Sequence, residues 1–230
     1  MNALFVSGTD TGCGKTQVAC ALARGLRASG RRVRVLKPVE TGCAERDGLL
    51  VPADALALAA AAGDDAPLDR LCPYRLRLAA APEVAARAQG IELEPQRIAA
   101  ALVLARSDAD AVLVEGAGGL LVPLAAELDM AGLARDLELP VLIVARARVG
   151  TINHTLLTLE AAAARGLRVL GVAISHTCAS PGNADLRNLD ALRARLERRR
   201  VSWLGELAHG AELLAPDPVP RMLLDALGAS

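Results

Sequence analysis

Aromatic side chains are almost missing from this sequence: among 230 residues only Phe5, Tyr74 and Trp203 carry one. A single-strand nucleic-acid surface stacks bases on aromatic rings, so this chain has little to build one from. Neither sign of charge is in excess, with 26 Lys+Arg against 26 Asp+Glu. No net field draws a polyanion, and no nucleic-acid partner is expected. Cys13, Cys20, Cys43, Cys72 and Cys178 are odd in number and form no C-x-x-C. That pattern indicates neither a zinc site nor a disulfide framework. No apolar run is long enough to span a bilayer, so no membrane partner is expected. The first residues enter a strand pattern without a basic leader. Together these absences describe a cytoplasmic enzyme with reduced thiols.

What remains is an aliphatic chain, 53% hydrophobic, whose core must be Leu, Val, Ile and Ala. Its length suits one domain over residues 1–230, large enough to bury a full core without staples. Apolar strand patterns fall at 3–7, 32–37, 110–119, 139–145, 168–175 and 201–205. Helical patterns fall at 15–29, 54–63, 83–89, 95–107, 129–137, 152–165, 184–200 and 222–227. Residues 40–48 read as a polar loop, and 64–82 as irregular chain broken by Pro67, Pro73 and Pro82. Strands alternating with helices predict an α/β fold: one doubly wound parallel sheet with helices on both faces.

The most informative stretch is GTDTGCGKT, residues 8–16. It fits the phosphate-loop pattern G-x-x-x-x-G-K-S/T, between a predicted strand and a predicted helix. Glycines let successive N–H groups turn inward as an anion nest. The helix aims its free N–H groups and its positive dipole end at the same spot. Lys15 then reaches the β- and γ-phosphates, and Thr16 suits Mg²⁺. The expected ligands are a nucleoside triphosphate and Mg²⁺, with Gly12, Cys13, Gly14 and Gln17 beside the phosphates.

A parallel sheet gathers the carboxyl ends of its strands at one edge, where ligands bind. Lys37 follows the second strand there and adds a second cation. That suits a reaction in which negative charge moves with a phosphoryl group. Glu115 ends the apolar run VLV, where phosphate-loop enzymes carry a magnesium carboxylate, and Gly116, Ala117 and Gly118 follow it. Asp54 opens a helix, where it serves either as a helix-end acid or as a ligand. Gly150, Thr151, Ile152 and Asn153 form a turn into a helix whose free N–H groups suit a carboxylate. His154 there reads as a structural hydrogen-bonding residue rather than a base.

Taken together, GTDTGCGKT, KPVETG, ADALAL, VLVEGAGG, LPVLIVARARVGTINHTLLT and GLRVLGVAIS resemble the dethiobiotin synthetase family in order and spacing. The resemblance covers nearly the whole chain. It implies a phosphate-loop fold and ATP- and Mg²⁺-dependent ring closure of 7,8-diaminononanoate with CO₂ or bicarbonate. An amine takes up CO₂ as a carbamate, the carbamate receives the γ-phosphoryl group, and the second amine closes a cyclic urea. By the same resemblance Lys15 and Lys37 match the active-site lysines, and Thr16, Asp54 and Glu115 the magnesium ligands. Thr41 matches a hydroxyl residue at the diamine end. Ser175, His176 and the later loop Ala208, His209 and Gly210 fall where the family reads the nucleotide base. The resemblance also implies a homodimer in which the 150–153 turn receives the substrate carboxylate of the other subunit. This chain departs from the family in having Gly12 where some members carry Glu, and Ser175-His176 where an Asn pair is common. Gly205-Glu206-Leu207-Ala208 likewise stands where Gly-Glu-Ile-Pro is usual.

Two rival classes fit less well. Partitioning ATPases carry an extra Lys early in the loop, where Asp10 stands. Amidating relatives add a glutamine-amidotransferase domain, for which this length leaves no room.

Overall fold

A computed structural model describes residues 2–228. Strand β1 (Ala3–Gly8) feeds helix α1 (Lys15–Ala28), which returns as β2 (Val33–Leu36). Three short strands follow, β3 (Val39–Thr41), β4 (Ala44–Arg46) and β5 (Leu49–Val51), before α2 (Ala53–Ala62). Next come α3 (Leu68–Leu71), β6 (Tyr74–Leu76), α4 (Pro82–Ala88) and α5 (Pro95–Arg106). The long strand β7 (Ala111–Gly119) leads through β8 (Pro123–Ala125) and β9 (Leu128–Asp129) to α6 (Met130–Asp136). The chain ends with β10 (Val141–Arg146), α7 (Thr151–Ala164), β11 (Val169–Ser175), α8 (Asn183–Arg198), β12 (Trp203–Leu207) and α9 (Arg221–Ala226).

Six strands form the central sheet in the order β12-β11-β10-β1-β7-β2, every neighbouring pair parallel. The connection leaving β1 leads toward β2, while that leaving β10 leads toward β11. Crossovers departing in opposite directions open a crevice at the carboxyl ends of the middle strands, and the phosphate loop lies there.

Side chains alternate along each strand, so the sheet has two cores. Leu4, Val6, Leu142 and Val144 pack with Val18 and Leu22 of α1 and Leu58 of α2. Phe5, Val141 and Ile143 face the other way, against Ile98 of α5 and Leu133 of α6. Each fully buried aliphatic side chain here contributes about 1.5–3 kcal/mol, which lets a chain almost without aromatics hold a rigid sheet.

Two stretches differ from the sequence expectation. The 40–48 loop instead holds most of β3 and the start of a β4–β5 hairpin, turned by Asp47 (φ 51°) and Gly48 (φ 76°). Positive φ at both central residues is the Asp-Gly turn that matches strand twist. The segment 64–82 is not wholly irregular either. It contains α3 and β6, and β6 pairs in parallel with β3, Val39 opposite Tyr74. Elsewhere the expected elements are present, with ends displaced by up to about two residues.

Candidate active site

The phosphate loop has the backbone its glycines allow. Gly12 (φ 68°) and Gly14 (φ 91°) both occupy the left-handed region. A Cβ on Gly14 would also collide with the Ser175 side chain. Cys13 lies beneath the loop, buried, with its thiol donating to the Val144 carbonyl at 3.4 Å. It fills space under the loop and does not line the cavity.

Five polar side chains converge beside this loop. Lys15 opens α1 and is buried, its ammonium donating to the Asp10 carbonyl at 3.0 Å. The Thr16 hydroxyl donates to Glu115 Oε1 at 2.8 Å. Lys37, directly after β2, places Nζ 2.6 Å from the same Glu115 oxygen and 3.3 Å from Asp54 Oδ2. Nζ also lies 3.4 Å from the Gly116 carbonyl. Glu115 is fully buried, and its Oε2 has no hydrogen-bond partner. Burial alone would drive the Lys37 pKa down, but the charges of Glu115 and Asp54 outweigh it and hold the ammonium well above its ordinary value. The site therefore keeps a cation that does not release its proton near neutral pH.

These groups face a cavity of about 510 Å³. Gly12, Gly14, Lys15, Thr16, Gln17, Lys37, Thr41, Asp54, Glu115, Ala117 and Gly118 line it, all singled out from sequence. Ser175 is buried beside it, its hydroxyl 3.5 Å from Gln17 Oε1. Gly116 sits under the floor, where an added Cβ would strike the Phe5 ring. His176 lies outside the lining and pairs with Glu206, Nε2 to Oε2 at 2.7 Å. Ala208, His209 and Gly210 are exposed, and Gly150, Thr151, Ile152 and Asn153 stand at the start of α7, away from this cavity.

The sequence reading missed Glu40, Thr11, Val39 and Thr177 as cavity residues. Glu40 is the most consequential. It is buried, and its two carboxylate oxygens accept the N–H groups of Asp54 and Ala55, each at 3.0 Å. Thus Glu40, from another strand, satisfies the start of α2, while Asp54 points to Lys37 and caps nothing. Burial pushes the Glu40 carboxyl up, against those two N–H groups. No local pattern marks such a contact.

A phosphate-binding loop between strand and helix, on an all-parallel sheet, with two buried lysines and a carboxylate at its mouth, defines a phosphate-loop nucleotide enzyme. Solved structures of this fold agree. A chain of the MinC:MinD cell division protein complex from Aquifex aeolicus matches with TM-score 0.54 at 12% identity, over 99% of this chain and 95% of that one. FlhF complexed with GMPPNP/Mg(2+) matches with TM-score 0.52 at 13% identity, over 99% of this chain and 73% of that one. At such identities the likeness concerns fold alone.

Sequence relatives are more specific. A family profile described as an AAA domain matches residues 2–216. The chain is 47% identical over 209 residues to the ATP-dependent dethiobiotin synthetase BioD of Aromatoleum aromaticum, covering 91% of each. It is 50% identical over 220 residues to the protein of the same name from Anaeromyxobacter dehalogenans, covering 93% of this chain and 96% of the relative. The chain belongs to the ATP-dependent dethiobiotin synthetase family.

Proposed function

We propose that this protein makes dethiobiotin from 7,8-diaminononanoate, CO₂ and ATP, with Mg²⁺, as one phosphate-loop domain spanning 1–230. The observation that carries this reading is the Lys37–Glu115–Thr16 cluster at the phosphate loop, in a chain of this family. One amine of the substrate adds to CO₂ to give a carbamate. A carbamate oxygen attacks the γ-phosphorus, the bond to ADP breaks, and a carbamic–phosphoric anhydride forms. The second amine attacks its carbonyl carbon, phosphate leaves, and the cyclic urea closes.

Lys15 and Lys37 supply fixed positive charge where the phosphoryl group carries its negative charge between oxygens. Both are buried, so no solvent reorganisation accompanies the transfer. Thr41, on the cavity wall, holds the diamine end. Thr16, Asp54 and Glu115 offer hard oxygen donors of the kind Mg²⁺ takes, alongside phosphate oxygens and water. The orphaned, buried Oε2 of Glu115 fits that role. When bound, Mg²⁺ would neutralise β- and γ-phosphate charge. Ser175, His176 and the Ala208–Gly210 loop serve the nucleotide base.

A homodimer completes the site, with Gly150–Asn153 receiving the substrate carboxylate of the other subunit. Exposed Val149 and Leu157 beside that turn, and the buried unpartnered Thr151 hydroxyl, support this arrangement. Five free cysteines suit a reducing, cytoplasmic compartment, and among the described residues no helix is long and apolar enough to cross a membrane.

The test is phosphate release from ATP and Mg²⁺ with bicarbonate, with and without 7,8-diaminononanoate, following the urea by mass spectrometry. One urea per phosphate is expected. Release indifferent to the diamine would overturn the substrate assignment.

A further inference from the structure

We infer that Glu40 is a positioning residue of this enzyme: it fixes the first turn of α2 and thereby sets Asp54 against Lys37 and the magnesium-nucleotide. The inference rests on the proposed role of Asp54 and goes beyond it. Three observations carry it.

Glu40 and Asp54 lie on different elements, β3 and α2, yet one carboxylate takes the N–H groups of two successive residues, Asp54 and Ala55. Both bonds are 3.0 Å, so the carboxylate spans the opening turn of the helix. Charge-assisted bonds of this kind are about twice as strong as neutral ones. Second, α2 has no other side-chain cap: the residue before it is Pro52, and no side chain of its own closes the turn. The N–H groups of a first helical turn are otherwise unpaired, so without Glu40 this end is free to shift. Third, Asp54 is itself half exposed and bonded only loosely, at 3.3 Å from Lys37. Its position is set by its backbone, and its backbone is set by Glu40. Glu40 also lines the cavity, so the constraint acts within reach of ligand.

The test compares Glu40→Gln, Asp54→Ala and the double variant. Gln is nearly isosteric but can accept only one of the two N–H groups. Glu40→Asp is the second probe, since it keeps the charge and cannot reach both. Mn²⁺ binding in the presence of ATP, followed by its paramagnetic resonance signal, reads the metal site directly and needs no diamine. ATP binding without metal reads the phosphate loop. For both Glu40 variants the expected result is about a tenfold weaker Mn²⁺ affinity, with metal-free ATP affinity unchanged. In the Asp54→Ala background the same Glu40 change should have no further effect, because contacts acting through one group are not additive.

Unchanged Mn²⁺ affinity in Glu40→Gln and Glu40→Asp would overturn the inference. So would equal Glu40 effects with and without Asp54, which would indicate a general loss of folding. Loss of diamine-dependent urea formation in the unmodified enzyme would instead strike the function. Mn²⁺ insensitivity to Asp54→Ala would strike the role given to Asp54, and the Glu40 inference with it.

Discussion

Replacing Lys37 with Met keeps the length of the side chain and removes its charge. Lys37 is buried, as is the Glu115 carboxylate 2.6 Å away, so the lost contact leaves a poorly solvated charge at the cavity wall. Breaking a buried pair by removing one partner costs about 3–5 kcal/mol, because the remaining charge is stranded. At about 2–4 °C per kcal/mol for a chain of this size, the melting temperature should fall by about 6–20 °C. A second substitution, Glu115→Gln, removes the stranded charge and should return part of that loss. Activity should behave differently. If the Lys37 ammonium stabilises the phosphoryl group in transfer, its removal costs about 10²–10³ in kcat, with a much smaller change in KM for ATP. The double variant should therefore regain stability without regaining turnover. Urea formation by mass spectrometry and thermal melts measure both quantities on the same samples. A kcat near that of the unmodified enzyme with a raised KM would refute the transition-state role. A double variant no more stable than Lys37→Met would refute the stranded-charge argument.

Three further outcomes follow from the geometry. Gly14→Ala forces φ 91° on a residue with a Cβ and drives that Cβ into Ser175; the left-handed strain alone, about 1–2 kcal/mol, should weaken ATP binding roughly tenfold, and Ser175→Gly should restore only part of it, as calorimetry would show. Arg34 bonds Asp65 and Asp108 and lowers both carboxyl pKa values through those hydrogen bonds. That contribution is complete above the unfolded carboxylate value of about 3.9 and is lost as pH falls through the lower folded values; the melting-temperature gap between the unmodified protein and Arg34→Met should be widest near neutral pH and shrink below about pH 4, and a gap unchanged in acid would count against it. Burial, with the charge of Glu115 behind it, pushes the Cys20 thiol up to about 11, and Cys178 is the one exposed cysteine among the described residues; Ellman's reagent should label one thiol quickly in the folded protein and the other four only after denaturation.

The core strands were legible because β7, β10 and β11 each carry four or more aliphatic residues and the shorter ones are bounded by turn or polar residues, and the phosphate loop because its glycines and Lys15 stand at fixed spacing. The β4–β5 hairpin was read as a loop: Asp47-Gly48 is a hairpin turn by composition, but the polar stretch around it masks the strands. The β3–β6 pairing was not legible. Its strands have three residues each and lie more than thirty residues apart, so no local period announces them. The site divides in the same way. Lys37 follows β2 and Glu115 closes the apolar run of β7, and the sheet brings them together. Glu40 escaped notice because its partners are backbone N–H groups on another element, and backbone donors leave no mark in a sequence.

Phe5, the single phenylalanine of the chain, lies under Gly116, close enough that any side chain at 116 would meet its ring. The two positions are therefore linked in what they can accept over generations. A side chain at 116 is compatible with folding only alongside a smaller residue at 5, and a lineage that shrinks residue 5 first gains freedom at 116. In a library of functional double variants, larger residues at 116 should be found only with that partner change. A core packing choice on β1 thereby limits how the floor beneath the nucleotide cavity can diverge.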